Sequence, residues 1–143
     1  MPEIMNLAYV TLYVSDLALL RDWYVHNLGL SIVWQSPSFV LLKGTGGAML
    51  GLHQGAPLAE PERVQLHFEV PDVDALYETL YARGLPFRHG PQEMPWGVRM
   101  AALRDPAGHT VELYTPLPGR GFRQHPGEPA ASRPGGDAGT GGR

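Results

Sequence analysis

The sequence predicts an α+β fold: two β-α-β-β-β repeats pair into a curved mixed sheet, with helices on the outer face and a groove on the other. Three observations predict it. The stretch LYVSDLALL (12–20) aligns with FEVPDVDAL (68–76) at an offset of 56, so Val14 meets Val70, Asp16 meets Asp72 and Leu20 meets Leu76. Strand-like alternation precedes an aspartate in both copies. Each helical stretch then closes on a glycine, with Gly29-Leu30 matching Gly84-Leu85 after a one-residue slip.

The elements follow in order. Residues 7–14 alternate, with Ala8, Val10, Leu12 and Val14 on one face and Tyr9, Thr11 and Tyr13 on the other. Asp16 stands where a side-chain acceptor caps the free N–H groups of a helix over 17–27, whose apolar stripe is Leu17, Leu20, Tyr24 and Leu28. Short strands are expected at 31–35, 39–43 and 48–54, with a hairpin turn at Gly44-Thr45-Gly46-Gly47. Trp34 is a candidate for the groove, but Ile32 and Trp34 share parity in the first of these, which favours the core for Trp34. Residues 55–62, with Pro57 and Pro61, form a linker.

The second copy repeats this grammar. Residues 63–70 alternate, with Val64, Leu66, Phe68 and Val70 opposite Gln65, His67 and Glu69. Asp72 caps a helix over 73–83 with the stripe Val73, Leu76 and Leu80. Strands are expected at 86–89, 98–104 and 110–114, and Trp96 falls in a loop entering the second of these. One domain over 1–115 results, with halves at about 5–54 and 63–115. Residues 116–143 are rich in Gly and Pro and are expected to be a disordered tail, because they bury too little apolar surface to offset ordering entropy.

Composition removes several function classes. There is no cysteine, hence no disulfide framework, thiolate metal site or thiol nucleophile. The tail carries four arginines against Glu128 and Asp137, or +2, so the remainder of a chain of net charge −3 carries −5. That balance argues against a nucleic-acid partner. No apolar stretch is long enough for a membrane span, and MPEIMNLAYV lacks the pattern of a signal peptide, so a cytoplasmic location is expected. No nucleophile elbow or phosphate-binding Gly loop is present. His26 lies near a helix C-terminus, His89 and His109 lie in or beside turns, and none has metal-site spacing.

The strings VTLYVSDL, WYVHNLGL, LHFEVPDVDALY, PWGVR and RDPAGHTVEL, in that order over about residues 7–115, resemble the vicinal oxygen chelate superfamily. That group includes glyoxalase I, extradiol dioxygenases and bleomycin-resistance proteins. The resemblance implies up to four metal-ligand positions, on the first and last strand of each half. These fall on Tyr9, Gly51, Gln65 and Glu112. Tyr9 and Gly51 depart from the pattern, and Gln65 with Glu112 is a poor set for a divalent ion. His53 and His67 offer an alternative with Gln65 and Glu112. They lie two residues beyond the ligand positions, roughly 6.6 Å along a strand, so Glu112 would serve a displaced site.

The favoured expectation is therefore a binding protein like the bleomycin-resistance branch: a homodimer holding a small organic molecule in an aromatic groove, with no cofactor. The groove residues are Tyr9, Thr11, Tyr13 and His53 from the first half, and Gln65, His67, Trp96, Arg99, Glu112 and Tyr114 from the second. Arg99 is placed to pair with Glu112 or with a ligand carboxylate, the other reading being a surface ion pair of little worth. The alternative is a metal-dependent lyase, isomerase or dioxygenase of the glyoxalase type, using Zn, Ni, Mn or Fe. A cofactor-free enzyme with Glu112 or a histidine as base is a third class.

Overall fold

Both helices begin on an aspartate, as the sequence requires. In the computed structural model, which describes residues 2–119, Asp16 Oδ1 accepts from Leu19 N–H at 3.2 Å and Asp72 Oδ1 from Ala75 N–H at 3.1 Å. The elements are β1 (Tyr9–Val14), α1 (Leu17–Leu28), β2 (Ser31–Ser36), β3 (Phe39–Lys43), β4 (Met49–Gln54), a single 3-10 turn (Pro61–Arg63), β5 (Gln65–Glu69), α2 (Val73–Ala82), β6 (Phe87–Met94), β7 (Val98–Arg104) and β8 (Thr110–Pro116). The expected tail lies outside the described residues from 120 onward. Its first residues belong to the sheet: β8 runs to Pro116, and Leu117 N–H donates to the Gly97 carbonyl at 2.9 Å.

The fold is α+β, with two four-stranded mixed sheets ordered β1-β4-β3-β2 and β5-β8-β7-β6. In each sheet the first and last strands of the repeat pair in parallel and the other neighbours are antiparallel. The end of each last strand also closes its helix. Gln54 Oε1 accepts from Leu17 N–H at 3.0 Å, and Thr115 Oγ1 accepts from Val73 N–H at 3.0 Å. These are further acceptors for helix N–H groups that have no partner within the helix. Gly29 ends α1 at φ 69°, a left-handed position that a side chain would strain.

The described residues divide into two compact units: residues 2–64 with Asp105–His109, and Gln65–Arg104 with residues 110–119. In the first, Leu17, Leu20 and Tyr24 of α1 pack with Leu12, Val14, Val40, Leu42, Leu50 and Leu52. In the second, Val73 and Leu80 of α2 are buried with most of β7 and with Val111 and Leu113. Burying such residues stabilises by about 1.5–3 kcal/mol per large side chain.

The first unit also buries a polar network that the sequence reading did not anticipate. Tyr24 O–H donates to Asp105 Oδ2 at 2.6 Å, and His109 Nδ1–H donates to the same oxygen at 2.7 Å. Asp105 Oδ1 accepts from Ala107 N–H and His109 N–H at 2.9 and 3.0 Å. All three side chains are buried. Burial, reinforced by the adjacent Asp105 carboxylate, pushes the Tyr24 hydroxyl far above its ordinary pKa. It stays neutral in the folded state at pH values where it ionises in the unfolded chain. Its contribution to stability is thus full below about pH 10 and falls by about 1.4 kcal/mol per unit above it. Urea midpoints should fall more steeply between about pH 10 and 11.5 for the parent protein than for Tyr24→Phe.

Candidate functional site

Each sheet has one face turned to its helix and one face free of it. The free face of the first sheet is aromatic. Tyr13 on β1 lies level with His53 on β4, and His53 lies level with Phe39 on β3. The Tyr13 and His53 rings stack at 4.8 Å between centroids, His53 and Phe39 meet edge-on at 6.0 Å, and Phe39 and Trp34 lie 6.2 Å apart. One row of rings thus crosses all four strands. His53 is held in place by an Nδ1–H bond to the Gln54 carbonyl at 2.8 Å.

Trp34 belongs to this row and not to the core. A bulge between Ile32 and Trp34 sets Ile32 level with Leu42 but Trp34 level with Leu41, so the two residues lie on opposite faces. Trp34 is 56% exposed, as an edge-strand residue facing away from the helix.

Gly51 explains how the row fits together. A Cβ there would lie 2.7 Å from Thr11 Oγ1 and 3.0 Å from two carbons of the Phe39 ring. The space of a side chain at 51 is already filled by its neighbours. Gly51→Ala is expected to destabilise the protein by about 1–3 kcal/mol, the range for an overpacked site, and to disturb the Phe39 ring. Denaturant unfolding and near-ultraviolet circular dichroism measure both effects. Tyr9, level with Met49 at the start of β1, is exposed.

The free face of the second sheet is polar. Gln65, His67 and Glu69 of β5 lie level with Thr110, Glu112 and Tyr114 of β8. His67 Nδ1 lies 3.0 Å from Glu112 Oε1. The expected two-residue displacement of His67 from Glu112 is therefore corrected: the parallel register puts His67, not Gln65, beside the carboxylate. Tyr114 O–H donates to Glu69 Oε1 at 3.4 Å, and partial burial, followed by that carboxylate, raises its pKa.

Arg99 is elsewhere. It lies level with Thr115, in line with Ala101 and Leu103, whereas Glu112 lies level with Ala102. Its side chain is on the α2 side, where it makes a two-pronged ion pair with Asp74 at 2.8 and 2.9 Å. The pairing expected with Glu112 is thus excluded by strand parity. The hydrogen bonds from Arg99 hold the Asp74 carboxyl below its usual pKa. Trp96 lies in the turn between β6 and β7 and is 39% exposed.

Residues 6–113 match the family model described as the Glyoxalase/Bleomycin resistance protein/Dioxygenase superfamily. The chain belongs to this superfamily. Three solved structures are similar to this chain. A glyoxalase/bleomycin resistance protein/dioxygenase from Nocardioides is 26% identical with a TM-score of 0.69, over 87% of this chain and 92% of the other. TnmS3, an antibiotic binding protein from Streptomyces sp. CB03234, is 27% identical with a TM-score of 0.70, over 81% of this chain and 99% of the other. A lactoylglutathione lyase from Agrobacterium tumefaciens is 25% identical with a TM-score of 0.65, over 80% and 96%. The chain is thus similar both to a binding protein and to an enzyme, and a fold alone does not choose between such roles. Among the described residues, no group of three or more His, Asp or Glu side chains could hold a metal ion, and no helix is long and apolar enough to cross a membrane.

Proposed function

We propose that this superfamily member binds a small, flat organic molecule and does so without a catalytic metal. The observation that carries this reading is the row Tyr13–His53–Phe39–Trp34 lying over a glycine. The exposed Tyr13 and Trp34 rings at its ends, with the half-buried His53 and Phe39 between them, offer stacking surface to an aromatic ligand and quadrupole attraction to a cationic one. The likeness to an antibiotic binding protein supports the same reading.

The donor set argues against a resident divalent ion. Position 51 offers no side chain, and the space beside it holds the Phe39 ring and Thr11. Tyr9 is a phenol where the family pattern has an imidazole or amide. Glu112 is already engaged by His67. Of the four family positions, only Gln65 and Glu112 carry a usual ligand type, fewer than the three protein ligands that such a site needs. The proposed setting is a cytoplasmic homodimer.

The alternative is a metal-dependent lyase, isomerase or dioxygenase, and the likeness to a lactoylglutathione lyase favours it. Metal analysis of untagged protein supplied with Mn, Fe, Ni and Zn separates the two. The binding reading expects metal far below one equivalent. Near-stoichiometric metal that is lost in Glu112→Ala establishes the alternative.

A further inference from the structure

Gly55 is a glycine that the backbone does not call for. It follows β4 directly, and its N–H donates to the Val14 carbonyl at 2.9 Å, which carries the β1–β4 ladder one residue further. It is not among the glycines of positive φ, so its backbone conformation is open to other residues. What a side chain there would take is space. A Cβ at 55 would lie 2.6 Å from Tyr13 Cδ2 and 3.3 Å from Tyr13 Cε2. The Tyr13 ring thus rests over Gly55, while His53 covers one of its faces at 4.8 Å and 24°. The ring is held on two sides, yet Tyr13 is 49% exposed. Gly51 repeats the arrangement under Phe39. Residues 51, 53 and 55 fall on one side of the chain by alternation, so His53 has a glycine on either side of it. Each glycine leaves room for a ring from a neighbouring strand to close on the imidazole.

We propose that Gly55 is a positioning residue for the ligand surface: it seats the Tyr13 ring against His53, and the seated pair selects a planar fused-ring ligand. Core stability follows the area removed from water, so a half-exposed ring gains little there from a fixed pose. A ring fixed in advance does serve a ligand that stacks on it, because less freedom is lost on binding. Centroids 4.8 Å apart offer two contacts that a fused-ring system covers at once and a single ring does not. The inference rests on the reading of the aromatic face as a ligand surface, and it adds the residue that sets the ring positions and the ring system they fit.

The test uses two planar cations, proflavine with three fused rings and benzamidine with one, titrated into the full-length protein and followed by calorimetry. Gly55→Ala is expected to weaken proflavine binding about three- to tenfold, the scale of one aromatic pair, and to change benzamidine binding little. The displaced Tyr13 ring can swing into solvent, so the urea midpoint is expected to stay near that of the parent. In a Tyr13→Ser background, Gly55→Ala is expected to have no further effect on proflavine, because no ring is left to displace. Proton spectra should show the His53 ring signals losing the ring-current shift of Tyr13 in Gly55→Ala. In the parent protein the Tyr13 ring signals should move as proflavine is added. Unchanged proflavine affinity in Gly55→Ala, or an equal loss in the Tyr13→Ser background, overturns this inference alone. So does saturation of the parent protein by proflavine with the Tyr13 signals unmoved, a result that needs no variant to fold. Failure of proflavine to bind the parent protein at millimolar concentration overturns the ligand-surface reading together with it.

Discussion

Asp105→Ala is expected to lower the stability of the protein by about 3–5 kcal/mol, the range for removing one member of a buried charged network. Four donors converge on that carboxylate: the Tyr24 hydroxyl, His109 Nδ1–H, and the backbone N–H groups of Ala107 and His109. Truncation removes their common acceptor at a site closed to water. Each unmatched donor costs about 1–3 kcal/mol before relaxation. A total stability of about 5–15 kcal/mol makes this a large fraction. Asp105→Asn is expected to be milder, because its Oδ1 still accepts from the two backbone groups. Urea denaturation of the three proteins measures the series. A loss for Asp105→Ala of the size seen for a surface substitution, within about 0.5 kcal/mol, would mean that the network is not closed as described.

Trp34→Ala is expected to weaken binding of a planar aromatic ligand about tenfold, corresponding to the ~1–1.5 kcal/mol of an aromatic pair. It should leave stability nearly unchanged. The two effects separate because Trp34 is mostly exposed and touches the row only through Phe39. A Trp34 packed in the core would behave oppositely, with a loss of about 3–5 kcal/mol in folding. Calorimetric titration and denaturant unfolding of one variant therefore distinguish the two placements. Phe39→Ala is less informative, since it also empties the space over Gly51.

Contiguous signals were legible in the sequence. The caps Asp16 and Asp72 and the left-handed Gly29 each act on residues within a few positions, and each performs as expected. The strands Phe39–Lys43 and Val98–Arg104 have the expected bounds. Strand β6 runs five residues past His89 because it is an edge strand with register shifts, where Gly90 and Pro91 are tolerated. The misplaced site residues share a different cause. Which face a residue occupies depends on pairing, and pairing is a property of two strands. One bulge at Val33 reverses Trp34, and the register of β7 against β8 sends Arg99 to the helix side. The His67–Glu112 contact follows from a parallel register that neither strand encodes alone. Tyr24 and Asp105 are 81 residues apart, so no local pattern joins them. Alternation had placed Tyr13 and His53 of the aromatic row on the groove face, and Gly51 was a further clue to it. A glycine inside a strand often marks the close approach of another group, here the ring of Phe39.

The central claim is that the aromatic face binds an organic ligand without metal. Its most direct test is the thermal shift produced by a panel of planar aromatic compounds on protein stripped with a chelator and kept in it. A concentration-dependent rise in Tm is expected for at least one compound, unchanged when Mn, Fe, Ni or Zn is restored and diminished in Trp34→Ala. A shift that appears only after metal is restored, and that disappears in Glu112→Ala while surviving Trp34→Ala, would contradict it.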